Sequence, residues 1–169
     1  HAQTTQKVLN KITKTLEVLA KNDKVCQLIQ TIPGLGTICS CRLRATIGDI
    51  KRFKNPKDFP AYYGLVPRSI ATGHNEKKGK ITHRGDRTMR SLMVQGAGCV
   101  IRLATCGKLK SKQLTKWILK KQKEKMPWGK LVCAVAAKLL RIVRAILISS
   151  KPYNPKIAGV AKCSLSKGS

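Results

Sequence analysis

The sequence predicts an all-α fold: a helical bundle that contains a helix-hairpin-helix motif and is preceded by a linker helix. Two observations lead to this prediction. Apolar residues recur every three or four positions over much of the chain, which is the period of an α-helix. The length of 169 residues and the hydrophobic fraction of 42% suit one globular domain. We expect a linker or coiled-coil helix at 1–24, a helical domain at 25–150 and a flexible basic tail at 151–169.

The first predicted helix runs from Thr4 to about Leu19. Its apolar residues alternate at spacings of three and four, and they are Leu9, Ile12, Leu16 and Leu19. This spacing allows a coiled-coil seam about two heptads long. It equally allows one amphipathic helix that packs on its own domain.

A second helix is predicted to end near Thr31, before Pro33, and a third to run over 37–47. Gly34 and Gly36 permit a tight hairpin between them. The Ile-Pro-Gly-Leu-Gly pattern resembles the helix-hairpin-helix motif of DNA repair and recombination proteins, in which glycine N–H groups receive a DNA phosphate. The two glycines are therefore candidate nucleic-acid-binding residues, and a plain helix turn is the alternative.

A short helix is predicted after Asn55, which can act as an N-cap with Pro56 in the first turn and Asp58 close behind. The stretch 66–85 that follows is polar and contains several glycines, and we predict a long basic loop. Such loops concentrate function in compact domains, although a mobile, solvated loop is the alternative.

The next helix has the clearest pattern in the chain, with Asp86 as its predicted cap. Its apolar and small residues follow helical spacing and are Met89, Leu92, Met93, Gly96, Ala97, Val100, Ile101 and Ala104. Gly96 and Ala97 allow the close approach of another helix. Two further helices are predicted at about 110–125 and 127–149.

Charge indicates a polyanionic partner, because 35 Lys and Arg face seven Asp and Glu and the net charge is +28. These charges repel one another in the folded state, and counterion release on a polyanion removes that cost. Nucleic acid is favoured over a membrane, since the most apolar stretch, 131–148, contains three cations. Aromatic residues make up only 4%, which favours phosphate and shape recognition over base stacking.

Cations in the predicted loop and at the start of the following helix are the candidate phosphate contacts. Arginines weaken a helix N-terminus electrostatically, so their position there makes more sense if they meet phosphate, with solvated side chains as the alternative. The full set is Arg68, Lys77, Lys78, Lys80, Arg84, Arg87 and Arg90.

The chain's own residues do not predict a complete active site. Its seven acids are scattered and its three histidines form no i, i+4 pair, so we expect neither a metal site nor a cofactor within it. Seven cysteines, mostly in apolar patterns, predict reduced thiols and a cytoplasmic location. No signal peptide is recognised, and a start at His1 suggests a fragment of a longer protein.

Several motifs occur in a familiar order over about residues 25–148. They are Thr31–Gly36, Ile47–Phe53, Tyr63–Arg68, Thr72–Gly73, Gly79–Asp86, Met89–Leu92 and Ala137–Ile142. Together they resemble the C-terminal domain of the RNA-guided insertion-sequence transposases that carry an N-terminal RuvC-like DEDD domain. The pilin-gene inverting recombinase belongs to the same group.

The resemblance implies a split active site. In this family the N-terminal domain, which is missing here, supplies four acids and Mg²⁺. The C-terminal domain supplies a serine that attacks the scissile phosphate and forms a covalent ester with DNA. A non-coding bridge RNA pairs with donor and target DNA, so that base pairing reads the sequence. The implied partners are double-stranded DNA, this guide RNA and further copies of the chain in a dimer or tetramer, associated through the linker at residues 3–30. The expected location is the bacterial nucleoid.

One residue departs from the family pattern, Pro-Arg-x-x-Ser-Ser/Thr-Gly. Here Ala71 occupies the serine position, followed by Thr72 and Gly73. A methyl group cannot attack phosphate, so we expect that this chain does not cut and join DNA. An engineered inactive variant, a natural degenerate copy and a nucleophile shifted to Ser69 or Thr72 are the three explanations.

Two other classes of protein remain open. One is a non-catalytic helix-hairpin-helix protein, such as an architectural or repair accessory factor, and Ala71 favours it. The other is a ribosome-associated RNA binder, which the net charge also suits.

Overall fold

The computed structural model describes the backbone of residues 2–72, 75–82 and 85–156, and the side chains of these residues outside 2–4, 68–72 and 75–80. The elements in chain order are α1 (Ala2–Asn22), α2 (Lys24–Gln30), α3 (Thr37–Ile47), a 3₁₀ helix (Ile50–Arg52), α4 (Asp58–Tyr62), β1 (Pro67–Thr72), β2 (Asn75–Ile81), α5 (Arg87–Thr105), α6 (Lys112–Lys123) and α7 (Trp128–Ser149). The all-α prediction is confirmed, and in the described residues the two strands form a single hairpin beside the helices.

Helices α5 and α7 form the centre of the core. The predicted apolar positions of α5 are buried from Met89 to Ala104, except for Leu92, which is half-buried. Ten residues of α7 are buried and cover a wide face of the helix, so α7 needs several neighbours. Accordingly α2, α4, α5 and α6 all pack against it, and α3 packs against α5.

The turn between α2 and α3 touches the middle of α5. Gly34 has φ +83°, a conformation that favours glycine, and a Cβ built on it would lie 2.6 Å from the carbonyl oxygen of Gly96. A Cβ on Gly96 would in turn overlap the carbonyl oxygen of Gly34. The close approach predicted at Gly96 is therefore confirmed, but the neighbour is this turn rather than another helix.

Within the stretch 66–85, predicted as a loop, residues 67–72 and 75–81 instead form the two paired strands of a β-hairpin. Strands β1 and β2 pair antiparallel, with Thr72 opposite Asn75 and an irregularity between Pro67 and Ser69. Backbone hydrogen bonds hold such a pair together even where few side chains are apolar, so the polar composition concealed it. The sequence did contain one signal for a hairpin. A glycine-containing pair of residues separates two short stretches of chain, and this pattern is typical of a tight hairpin.

Two helix starts differ from the prediction by a few residues. The N-cap of α4 is Lys57 rather than Asn55, because residues 55–57 form a turn. The Asn55 N–H donates to Asp58 Oδ2 at 3.0 Å, which ties that turn to the helix. Helix α6 begins after Ser111, whose hydroxyl accepts a hydrogen bond from the Leu114 N–H.

The segment after α7 returns to the domain. The Tyr153 N–H donates to Thr31 Oγ1 at 3.0 Å, and the Pro155 carbonyl accepts a hydrogen bond from Ser111 Oγ at 3.1 Å. Arg144, on α7, donates to the carbonyls of Phe53 and Lys54 at 2.9 and 2.7 Å. The contacts of Tyr153 and Pro155 show that the domain continues past the expected boundary at 150. The rest of the predicted tail, 157–169, lies outside the described residues.

Candidate nucleic-acid interface

The junction between the hairpin and α5 is built on Asp86. Its Oδ1 accepts hydrogen bonds from the N–H groups of Thr88 and Met89 at 2.9 and 3.1 Å, which confirms the predicted N-cap. The guanidinium of Arg42, on α3, donates to both carboxylate oxygens at 3.0 Å. One carboxylate therefore caps α5 and fixes it to α3.

The electrostatics of this pair favour the ionised carboxylate. Burial opposes ionisation of Asp86, but the Met89 N–H, the Arg42 guanidinium and the Thr88 N–H outweigh it, and the pKa of Asp86 lies below its ordinary value of 3.8. The side chain of Asp86 is 21% exposed and that of Arg42 is 41% exposed. The ion pair is thus only partly shielded from solvent.

Tyr63 and Gly85 hold the base of the hairpin against the end of α4. Arg90 Nη1 donates to the Tyr63 carbonyl at 3.1 Å, and the Tyr63 hydroxyl shares a hydrogen bond with Thr46 Oγ1 at 2.8 Å. Burial raises the pKa of Tyr63, so this hydroxyl stays protonated. Gly85 has φ +85°, and a Cβ on it would overlap the carbonyl oxygen of Tyr62. Position 85 therefore requires glycine.

The structure brings six of the twelve predicted site residues onto one pair of strands. The backbone positions of Arg68, Ala71 and Thr72 lie on β1, and those of Lys77, Lys78 and Lys80 lie on β2. In the register, Ala71 is opposite Glu76 and Ser69 is opposite Lys78. Gly73 and Arg84 lie outside the described residues.

The two predicted arginines of α5 have different surroundings. Arg87 is exposed at the first position of the helix. Arg90 is half-buried and donates to the Tyr63 carbonyl, so it helps to position the hairpin base whatever else it contacts. Of these two candidates, Arg87 is therefore the better placed to meet a phosphate.

The predicted glycine site is separate from the hairpin. Gly34 packs against Gly96, which lies nine residues beyond Arg87, or about 14 Å along α5. Gly36 is the N-cap residue of α3, which has no side-chain cap, and a Cβ on it would meet nothing within 4 Å. Gly34 is required by packing, and Gly36 stands at an open helix N-terminus.

Two buried cysteines, Cys39 and Cys26, have raised thiol pKa values. Burial raises the pKa of Cys39 to about 12 and that of Cys26 to about 11, so these thiols remain protonated. In the part of the chain that the structure describes, no three His, Cys, Asp or Glu side chains come together as a metal-binding group. No helix among the same residues has the length and apolarity to span a membrane.

The sequence interpretation missed two features. Arg42 is 44 residues from Asp86 in the chain, and no local pattern connects them. A row of lysines on α6 was also missed, although its spacing of four residues was visible in the sequence.

These elements define a small helical domain in which a basic hairpin leads directly into the central helix. Residues 26–113, more than half of the chain, match the family model described as transposase IS116/IS110/IS902 family. The chain therefore belongs to this transposase family, and at this level the resemblance seen in the sequence is confirmed.

Curated relatives agree with this assignment. The chain is 29% identical to a "probable family 20 transposase" of Pseudomonas aeruginosa over 153 residues, which are 90% of the chain and 44% of the relative. It is 32% identical to the "transposase for insertion sequence element IS1111A" of Coxiella burnetii, over 82% of the chain and 37% of the relative. It is 28% identical to the "pilin gene-inverting protein" of Moraxella bovis, over 77% of the chain and 39% of the relative. The chain spans less than half of the length of these relatives.

Proposed function

We propose that this chain is the DNA-joining part of an RNA-guided transposase, and that its hairpin and the start of α5 bind the DNA backbone. The observation that carries the proposal is the hairpin: the serine position of the family and four of the seven predicted cations lie on the same two paired strands. The net charge of +28 and the recombination activity named for the pilin gene-inverting relative also support it.

In this proposal the active site is split between two domains. The described residues offer no group of acids that fits Mg²⁺, so we place the metal in the upstream domain. This chain supplies the position of the nucleophile and holds the phosphate backbone beside it. A bridge RNA pairs with donor and target DNA, and the protein then needs no base-reading side chains.

The chain is also proposed to form a dimer or tetramer through α1. Leu9 and Ile12 are each 52% exposed and Leu19 is 58% exposed, which leaves an apolar stripe at coiled-coil spacing uncovered. Sedimentation velocity at increasing protein concentration, with Ile12→Lys as the comparison, tests this association.

The reaction itself is tested by Ala71→Ser. The chain, joined to its upstream domain, is incubated with Mg²⁺, the RNA encoded in the flank of the element, and DNA from the end of the element. On a denaturing gel we expect a covalent protein–DNA adduct with serine at position 71 and none with alanine, because only the hydroxyl can attack phosphorus.

The control adds Ser69→Ala to the Ala71→Ser protein, and the adduct should persist. An adduct formed by the unchanged chain and lost on Ser69→Ala or Thr72→Val would show that the nucleophile is shifted. Tight DNA binding without an adduct in either version would favour the non-catalytic DNA-binding protein.

Phosphate contact at the hairpin base is tested by Arg87→Gln. The change should weaken duplex binding with little dependence on the DNA sequence, and lower the slope of log Kobs against log salt by about one. Fluorescence anisotropy at about 50 to 200 mM salt measures both. Arg44→Gln is the control, because it also removes one positive charge. Arg44 already pairs with Asp23 at 2.9 Å, so the salt slope of Arg44→Gln should match that of the wild type. Equal slopes in all three proteins would remove Arg87 from the interface.

A further inference from the structure

Lysines are concentrated on α6 and the residues beside it. The segment 108–125 contains eight lysines and a single acid, Glu124. Lys121 Nζ pairs with Glu124 Oε2 at 2.6 Å, so the segment has no second carboxylate for the others. Those others are Lys108, Lys110, Lys112, Lys116, Lys120, Lys123 and Lys125.

Four of these lysines form a line on the outer surface of α6. Lys112, Lys116, Lys120 and Lys123 are all exposed, and their spacing of four, four and three residues places them on one face. Leu114 and Ile118, on the opposite face, are fully buried in the core. The line extends about 17 Å along the helix. This set of four is termed the α6 lysine stripe.

The stripe has an electrostatic cost that Glu124 relieves only in part, through its interaction with Lys120. Like charges four residues apart on a helix repel each other and destabilise it. A row of phosphates removes that repulsion and releases its own counterions. The stripe contains no aromatic or amide side chain, and lysine is a point charge without the fork geometry of arginine. It is therefore suited to sequence-independent contact with a phosphate backbone.

The stripe lies at the far end of α5 from the hairpin. Gln122 Nε2 donates to Thr105 Oγ1 at 3.4 Å, so α6 lies beside the last residue of α5, whereas the hairpin precedes Arg87. The separation along α5 is about 27 Å. This corresponds to about eight base pairs of duplex. Apart from Lys112, the stripe also lies outside 26–113, the part that matches the family model.

We propose that the α6 lysine stripe is a second surface that binds the backbone of duplex DNA, at least about eight base pairs from the contacts of the hairpin. The inference rests on the proposed DNA-binding function. The stripe is a regular line of charges on α6, beside the end of α5 that lies away from the hairpin. Such an arrangement suits a regular duplex that extends from one surface to the other, which is why DNA is favoured over a folded RNA.

The experiment compares two charge-matched proteins made in the 169-residue chain. The first carries Lys→Gln at Lys112, Lys116, Lys120 and Lys123. The second carries Lys→Gln at Lys54, Lys57, Lys151 and Lys156, four exposed lysines outside α1, α6 and the hairpin. Both lose four charges, and glutamine has nearly the helix propensity of lysine. Binding is measured by anisotropy with duplexes of about 8 and about 30 base pairs over a range of salt concentrations.

We expect the stripe variant to lose about tenfold or more in affinity for the longer duplex, and its salt slope to fall by about two to four. With the shorter duplex, which reaches only one surface, the loss should stay below about twofold. The control variant should resemble the wild type with both duplexes. Lys116→Glu provides a second test of duplex binding. The new glutamate forms favourable pairs with Lys112 and Lys120, so α6 stays folded, while one charge of the stripe is reversed.

Equal losses in the two charge-matched variants would mean that only net charge matters, and would overturn the proposal. A loss confined to a folded RNA of equal phosphate number would assign the stripe to RNA and overturn it too. If the wild type binds duplex and the stripe variant binds equally well, this inference alone fails. If the wild type binds no duplex of either length, the proposed function fails with it.

Discussion

Replacing Asp86 with alanine is expected to lower the free energy of unfolding by about 2–3 kcal/mol, because one substitution removes the cap of α5 and the partner of Arg42. The cap contributes about 1 kcal/mol, and the two charge-assisted hydrogen bonds contribute the rest after allowance for the exposure of Arg42. Urea unfolding followed by far-ultraviolet circular dichroism measures the change.

Two comparisons separate these contributions. Asp86→Asn keeps an oxygen that can cap the helix and loses the ion pair, so it should cost about 1–2 kcal/mol, less than Asp86→Ala. Asp23 offers a matched control, since it caps α2 through the Val25 N–H and pairs with Arg44. Helix α2 has seven residues and the pair is more exposed, so Asp23→Ala should cost about 1 kcal/mol. Equal effects of Asp86→Ala and Asp23→Ala would contradict the joint role of Asp86.

The same carboxylate should make stability depend on pH. The pKa of Asp86 is depressed in the folded protein, so its contribution is fully present above the unfolded pKa of about 3.9. It is then lost as the pH falls through the lower folded value. Unfolding free energy should therefore fall more steeply below about pH 4 in the wild type than in Asp86→Ala. Parallel curves would show that the carboxylate is not stabilised by its partners.

Gly96→Ala and Gly98→Ala should change stability in opposite directions, although the two glycines lie on the same helix. A Cβ on Gly96 would overlap the carbonyl oxygen of Gly34, and backbone cannot rotate away as a side chain can, so we expect a loss of about 2–3 kcal/mol. A Cβ on Gly98 would meet nothing within 4 Å, and alanine is the better helix former, so we expect a gain of about 0.5–1 kcal/mol.

Thermal and urea unfolding of the two proteins, each compared with the wild type, test this pair. Gly98→Ala is the control for helix propensity, and Gly96→Ala reports the contact with the α2–α3 turn. Destabilisation of similar size in both variants would show that α5 does not tolerate alanine in general, and would argue against a specific contact at Gly96.

Helical periodicity predicted the core well, because burial imposes it locally. The pattern from Met89 to Ala104 became the buried face of α5, and the helix predicted over 37–47 has those bounds in the structure. Gly34 and Gly96 were each noticed in the sequence, one as a turn residue and one as a small helix residue. Their contact could not be predicted, because it joins positions 62 residues apart in the chain that no single element contains.

The candidate site was predictable to a smaller extent. The order of motifs indicated the family and the position of Ala71, and the family model agrees with the first of these. The hairpin was not foreseen, since its strands are polar and pair through backbone atoms. The role of Arg90 was not foreseen either, because a hydrogen bond to the Tyr63 carbonyl depends on how α4 and α5 meet in three dimensions.

The fixed root of the hairpin has a mechanical consequence. Residues Gly85 and Asp86 form a fulcrum: Gly85 lies against the Tyr62 carbonyl, and Asp86 is bonded to both α3 and α5. A pull on the chain at Asp86 is therefore carried by α3 and α5 together. Any tension that reaches this point from a bound polymer would be shared between the two helices.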